Sequence, residues 1–281
     1  MDELRQRQFN DKLKHLQTIP GCEYKMFKDI LKPQFSIPLT SEYIDKINIG
    51  IKECKTKEDK KEWDVLIKFQ SEYPLSVTVG RQIKFLVINN TDNTVIGMIR
   101  LCSCSRRSPL DNLIKWTNEV KYDQGLLQRI ANAQALVPTQ PFGYNCLGGK
   151  LLANLTTSRE LLDMWNRRYE SLYGIVTLSV RSGCCQYTGL KTFYKMNNIV
   201  KKNVGIERGV YFCELYKNTF QLLRNESILP IGNLKSVKQI SDEWKVIAKK
   251  RLLKLIDENK LKTEPDCYDK YYKETENPFF D

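Results

Sequence analysis

The residues whose spacing best suits chemistry lie in GYNCLGGKLLANL, Gly143 to Leu155, where Gly143, Gly148 and Gly149 precede Lys150 and an apolar run. Glycine ahead of a helix is an anion-binding arrangement. The first helical turn has unpaired N–H groups and a partial positive charge, and a missing Cβ lets a phosphate come close. A nucleotide P-loop requires G-x-x-x-x-G-K-[ST]. Counted from Gly143, Gly149 stands where lysine is needed; counted back from Lys150, Tyr144 takes the first glycine position. Neither register supplies the magnesium-holding hydroxyl, and Lys150 is followed by Leu151. This is not a Walker loop. The alternative is that its glycines serve only tight helix–strand packing.

Other reactive side chains follow the β-branched run YGIVTLSV. Ser182 and Tyr187 lie just past it, at the strand end where α/β-type sites gather. Arg181 and Lys191 suit a phosphate or nucleic-acid contact. Glu160 could act as a base, but a Thr157-x-x-Glu160 capping box already explains it. The chain has one histidine, His15, which argues against Ser-His-Asp and Cys-His catalysis. Nine cysteines in no small-scaffold spacing read as reduced thiols, which fits the cytoplasm. Cys102 and Cys104, with Cys184 and Cys185, could hold zinc if their segments met. The usual C-x2-C spacing is missing, so the expectation is no metal and cysteines packed as small apolar residues.

A net charge of +12, from 45 basic and 33 acidic residues, favours a polyanionic partner such as nucleic acid. With 41% hydrophobic residues in 281, a core is affordable, and no apolar run reaches a membrane span. The N-terminus MDELRQRQFNDKLKHLQ is too polar for a signal peptide.

Three regions must position these residues. Residues 1–75 read as helical, including SEYIDKINIGIKEC and EDKKEWDVLIKFQSEY. Residues 76–230 read as a core. It has a hairpin across RQIKFLVINNTDNTVIGMIRLCSCS, a helix in DQGLLQRIANAQ and a short strand in QALVPTQPFG. Two helices over 148–171, broken near Thr157, then precede the YGIVTLSV strand, a short helix in GLKTFYKM and a strand in GVYFCELY. Residues 231–281 read as a basic amphipathic helix and tail. Val237, Ile240, Trp244, Ile247 and Leu255 fall near one face, with Lys249, Lys250 and Arg251 as candidate nucleic-acid contacts; the alternative is a helix packed on the domain.

That element order resembles the acyl-CoA-dependent N-acetyltransferase fold. The implied fold is α+β, a mixed, mainly antiparallel sheet flanked by helices, with helical N-terminal and C-terminal appendages. The acetyltransferase signature [QR]-x-x-G-x-[GA] is half matched by Gln140 and Gly143, with Asn145 where the second small residue belongs. The resemblance implies an acyl-CoA pyrophosphate at the turn, contacted by Val137, Gln140, Gly143, Gly148, Gly149 and Lys150. It also implies a tyrosine acid near Tyr194. More specifically, LLQRIANAQALVPTQPFGYNCLGGKLLANLTTSRELLDMWNRRYESLYGIVTLSV resembles the DruA-like family, named for a component of the Druantia anti-phage system. The features are Gly148–Ala153, Ser158–Glu160, Arg168-Tyr169 and Tyr173–Ser179. After Val180 the match loosens to Ser182, Gly183, Tyr187 and Gly189. Its layout is also similar to that of phage Mom-type DNA modification enzymes, at the level of fold.

Three readings stand. One is an acyltransferase acting on nucleic acid, with Tyr194, Tyr187 and Ser182 as its catalytic candidates. Another is a non-catalytic nucleic-acid-binding accessory protein of that fold. The third is a partner-binding protein whose glycines and tyrosines only pack. A slot between the strands near Pro138 and Tyr173 separates the first from the others.

Overall fold

The computed structural model describes residues 37–70, 75, 80–104, 128–143, 145–169, 171–179, 187, 190, 194–201, 206–217, 229–230 and 234–261. A seven-stranded sheet organises them. Its strands are β1 (Ile49–Glu53), β2 (Gln82–Asn89), β3 (Val95–Ser103), β4 (Ile130–Pro138), β5 (Gly174–Ser179), β6 (Tyr194–Lys201) and β7 (Ile206–Glu214). They run in the order β1-β2-β3-β4-β5-β7-β6. Every neighbouring pair is antiparallel except β4 and β5, which are parallel. This is the mixed, mainly antiparallel α+β sheet expected. A two-residue pair, β8 (Tyr216–Lys217) with β9 (Leu229–Pro230), stands apart from it.

Period-two alternation gives the sheet two apolar faces. Ile83, Phe85 and Val87 of β2, with Ile99 and Leu101 of β3, face one way. They pack under α1 (Ser41–Lys46), α3 (Gly149–Leu155), α4 (Arg159–Asn166) and α5 (Val237–Asp257). Leu86, Met98 and Ala135 face the other way, against Trp63, Val65 and Leu66 of α2 (Lys57–Gln70).

The hairpin is as the sequence gives it. Asn89 N–H bonds Thr94 O at 2.8 Å, and Asn93 takes φ +59° in the turn. Three stretches differ from their sequence reading. Ile49–Glu53, read as helix, is edge strand β1, paired with β2 from Ile49↔Asn89 to Glu53↔Phe85. Its Ile47-Ile49-Ile51 spacing is the strand period, which prevails once a neighbour supplies the ladder. Residues 130–134, also read as helix, begin β4, where pairing with β3 and β5 overrides the helix propensity of Ala and Gln. Tyr194, placed in a short helix, opens strand β6 opposite Phe212. Residues 1–36 of the helical N-terminal reading and the start of DQGLLQRIANAQ lie outside the described residues.

The helix break expected near Thr157 and the amphipathic tail helix are both present, the break with a different cap from the Thr157 expected. Ser158, not Thr157, caps α4 by accepting from Leu161 N–H. On α5, Ser236 and Gln239 form a reciprocal capping box. The buried stripe of α5 is Val237, Ile240, Trp244, Ala248, Leu252 and Leu255; Ile247, read as part of it, is exposed.

Candidate functional site

The parallel strands β4 and β5 pair only from Ile130↔Gly174 to Ala133↔Thr177. Past that point the described residues show no further pairing between them. β4 continues to Pro138 along β3, and β5 continues to Ser179 along β7. The buried Thr177 hydroxyl donates to Ala133 O at 3.1 Å, closing the apex where the ladder stops. The register of β3 with β4 shifts here, between Arg100↔Ala135 and Leu101↔Ala133, so Gln134 is a bulge at the fork. Bulges bend the strand that carries them. The β4–β5 ladder therefore ends at Ala133 and Thr177, short of the carboxyl ends of both parallel strands.

β4 leads from this slot into the glycine turn. Thr139 anchors the turn through its N–H to Ile96 O at 2.9 Å and its hydroxyl to Val95 O at 2.5 Å. The Gln140–Pro141 peptide is cis. Gly143 N–H returns to Thr139 O, and Leu147 N–H to Phe142 O, both at 2.9 Å. Asn145, fully buried, donates to Pro141 O at 2.9 Å. It braces the turn where the acetyltransferase signature has a small residue. From behind, α5 supports the turn: Trp244 Nε1 donates to Leu147 O at 2.6 Å. The end of α2 touches it too, where Gln140 N–H donates to Gln70 Oε1 at 3.3 Å.

The three glycines divide by role. A Cβ on Gly148 would stand 2.4 Å from Pro138 Cβ, and one on Gly143 would meet Gln140 Nε2 at 2.9 Å. Gly148 is a packing glycine, whereas Gly143 meets first the movable end of the Gln140 side chain. A Cβ on Gly149 would meet nothing within 4 Å. Gly149 opens α3, whose first intrahelical bond is Leu152 N–H to Gly148 O, so the N–H groups of Gly149, Lys150 and Leu151 have no intrahelical acceptor. The N-cap Gly148 brings no capping side chain, and Lys150 is exposed beside it.

The other candidates scatter. Val137 packs toward the α2 cluster. Tyr187 is 4% exposed within the main core. Tyr194 lies in one row with Phe212 and Val176, two strands from the fork. Ser182, Arg181 and Lys191 lie outside the described residues, as do Cys184 and Cys185. Among the described residues no group of three His, Cys, Asp or Glu side chains could hold a metal, and no helix is long and apolar enough to cross a membrane. Burial pushes the Cys54 thiol up to about 12, so it is an inert core thiol. Lys249 is tied to Asp45 at 2.7 Å, while Lys250 is exposed and Arg251 half-buried.

Sequence reasoning missed the polar group behind the fork. Arg100, 7% exposed, donates to Gln134 Oε1 and lies over the Trp63 ring. Cys102 Sγ donates to Gln134 Oε1 and to Asn132 O, each at 3.5 Å. Burial holds the Arg100 guanidinium below its ordinary pKa. The one signal available was a charged residue on an apolar strand, VIGMIRLCS.

The model of the family Druantia protein DruA matches residues 22–209. The chain belongs to the DruA family. A curated relative, Druantia protein DruA of Escherichia coli (strain UMEA 4076-1), is 31% identical over 106 residues, 37% of this chain and 25% of the relative. The matched stretch thus spans a quarter of that longer protein. Two solved structures are distant neighbours. FeeM, an N-acyl amino acid synthase from uncultured soil microbes, has a TM-score of 0.39 at 11% identity, covering 60% of this chain and 91% of its own. A candidate acetyltransferase from Sphaerobacter thermophilus DSM 20745 has 0.32 at 11%, covering 59% and 93%.

The Arg168-Tyr169 pair quoted from the sequence for this DruA-family chain makes structural contacts. Arg168 pairs with Glu53 at 2.5 Å, and Tyr169 donates to Gln82 O at 3.3 Å while lying 4.9 Å from the Trp165 ring. They fasten the end of α4 to β1 and β2.

Proposed function

We propose that this DruA-family chain binds an acyl-CoA-type thioester in the β4/β5 fork and uses it on nucleic acid. The observation that carries the reading is the end of the β4–β5 ladder, with open space at Gly149 at the start of α3. A CoA-type ligand fits both parts. Its pyrophosphate needs helix N–H donors and room, which Gly149 and Lys150 supply. Its extended amide arm needs a strand edge, which β4 offers past Ala133. When bound, the thioester supplies an activated acyl carbon and a thiolate leaving group.

The chain's own contribution would then be positional and protic. Peptide groups along β4 orient the arm, and Thr177 fixes the apex. Tyr194 is the candidate that holds the proton the leaving sulfur takes up. Its row places its backbone about 10 Å from β5, two strand spacings. Nucleic acid is the acceptor class that +12 favours, and a phage-defence role accords with the family. Lys250 and Arg251 are its proposed contacts on α5, since Lys249 already serves Asp45.

The second reading, a nucleic-acid-binding accessory protein without catalysis, draws on Glu160. The one carboxylate considered as a base is engaged at Val237 N–H, 2.9 Å away.

Calorimetry with coenzyme A and its acyl thioesters tests the first reading. Wild type should bind, and Gly149→Val should bind at least about tenfold more weakly because its side chain occupies the open space a phosphate would use. Absence of heat with wild type sinks it and leaves the second reading.

A further inference from the structure

Four large apolar side chains stand in solvent among the described residues: Val246, Ile247, Leu253 and Ile256, between 49% and 67% exposed. All four are on α5. At about 100° per residue, Val246 and Leu253 fall on the side opposite the buried stripe, with Lys250 between them and Lys254 close by. Exposed apolar residues concentrated on one helix call for a partner.

We propose that residues 262–281 of the same chain lie along this outer face of α5. Composition is the first argument. In a chain of net charge +12, these twenty residues hold six carboxylates and three lysines, so they bring anions for Lys250 and cations for Asp242 and Asp257 on the same face. They also hold Tyr268, Tyr271, Tyr272, Phe279 and Phe280, apolar enough to cover the Val246–Leu253 ridge.

Position is the second argument. α5 closes in a Schellman motif: Lys260 N–H bonds Leu255 O at 2.8 Å, Asn259 N–H bonds Ile256 O at 2.9 Å, and Asn259 has φ +51°. This turns the chain back at the helix end, and Leu261 packs against the core. From there the ridge is within reach. Val246 to Ile256 spans about 15 Å of helix, whereas twenty residues can extend over roughly 65 Å.

A second copy fits less well. An antiparallel α5 pair that sets Val246 against Leu253 also sets Lys249 against Lys250 and Asp242 against Asp257. Both are like-charge contacts. The inference does not depend on the function proposed above. A polyanion arriving at Lys250 would have to displace the tail.

Limited chymotrypsin digestion of the full chain tests the docking, read as the cleavage rate after Tyr268, Tyr271 and Tyr272. Cleavage follows the population of the open tail. In Val246→Ser/Leu253→Ser the rate should rise by about tenfold, with the helical circular dichroism and melting temperature unchanged. Asp269→Lys/Glu274→Lys, which leaves α5 untouched, should raise it similarly. Equal rates in wild type and both variants overturn the proposal. So does a wild-type dimer that becomes monomeric in the α5 variant, since the face would then belong to a second copy.

Discussion

Glu160 on α4 accepts the backbone N–H of Val237, the first residue of α5, at 2.9 Å across 77 positions of sequence. Arg159 N–H reinforces the junction by donating to Lys235 O at 3.0 Å. A carboxylate at a helix N-terminus satisfies an orphan donor and meets the positive end of the macrodipole. The helix that backs the glycine turn is therefore held by α4, the second helix after the turn.

Glu160→Ala should cost about 1–2 kcal/mol, measured by urea unfolding. Glu160→Gln, which keeps an acceptor oxygen, should recover part of that. Coenzyme A affinity should hold in both. A collapse of affinity with stability intact would instead put Glu160 in the ligand site.

Gly148 and Gly149 are neighbours with opposite expectations. Gly148→Ala forces a Cβ to within 2.4 Å of Pro138 and should lower stability by about 1–3 kcal/mol. Gly149→Ala enters open space in a helix and should be neutral or stabilising by up to about 1 kcal/mol. Thermal denaturation of the two single variants decides this, and equal losses would mean that the turn is not packed as described.

Thr177→Val keeps the shape of the side chain and removes its hydroxyl, leaving Ala133 O without that donor. The expected cost is about 1–3 kcal/mol, with Thr177→Ser largely restoring stability. If the fork is the ligand slot, Val should also weaken coenzyme A binding more than its stability loss alone accounts for, and Ser should recover it.

Lys249 and Lys250 should separate structure from nucleic-acid binding. Lys249→Glu loses its pair with Asp45 and faces that carboxylate instead, so it should lower the melting temperature. Lys250→Glu should leave melting unchanged and reduce the slope of log affinity against log salt for duplex DNA by about 1. A salt-independent affinity would remove nucleic acid from the reading.

Asp59 gives an acid-limb test. Its hydrogen bond from Lys52, helped by Thr56, holds the carboxyl at about 2, below its ordinary value. A depressed carboxyl stabilises above its unfolded pKa of about 4. That stabilisation is lost as pH falls through the folded value near 2. Asp59→Asn should flatten the stability profile across that window and change little at neutral pH beyond the lost pair. At a surface site the effect should stay below about 1 kcal/mol.

The hairpin, the helix break near Thr157, the β5 strand and the α5 helix were all legible in the sequence. Each rests on local physics: period-two alternation around Asn90–Asn93, a polar cap ahead of α4 that the sequence put one residue early at Thr157, and a 3.6-residue apolar stripe. The glycine turn was legible as a turn, because glycine and proline restrict the backbone wherever they stand. Three things were decided only by tertiary structure. β1 and the start of β4 became strands because neighbours supplied ladders that local propensity could not anticipate. Gly148 and Gly149, identical in type and adjacent, acquired different roles because Pro138 packs under one and nothing lies over the other. The fork itself depends on where pairing stops, at Ala133 and Thr177, and on a hydroxyl that meets a carbonyl 44 residues away. Register and close approach are properties of two segments at once, so neither segment carries them alone.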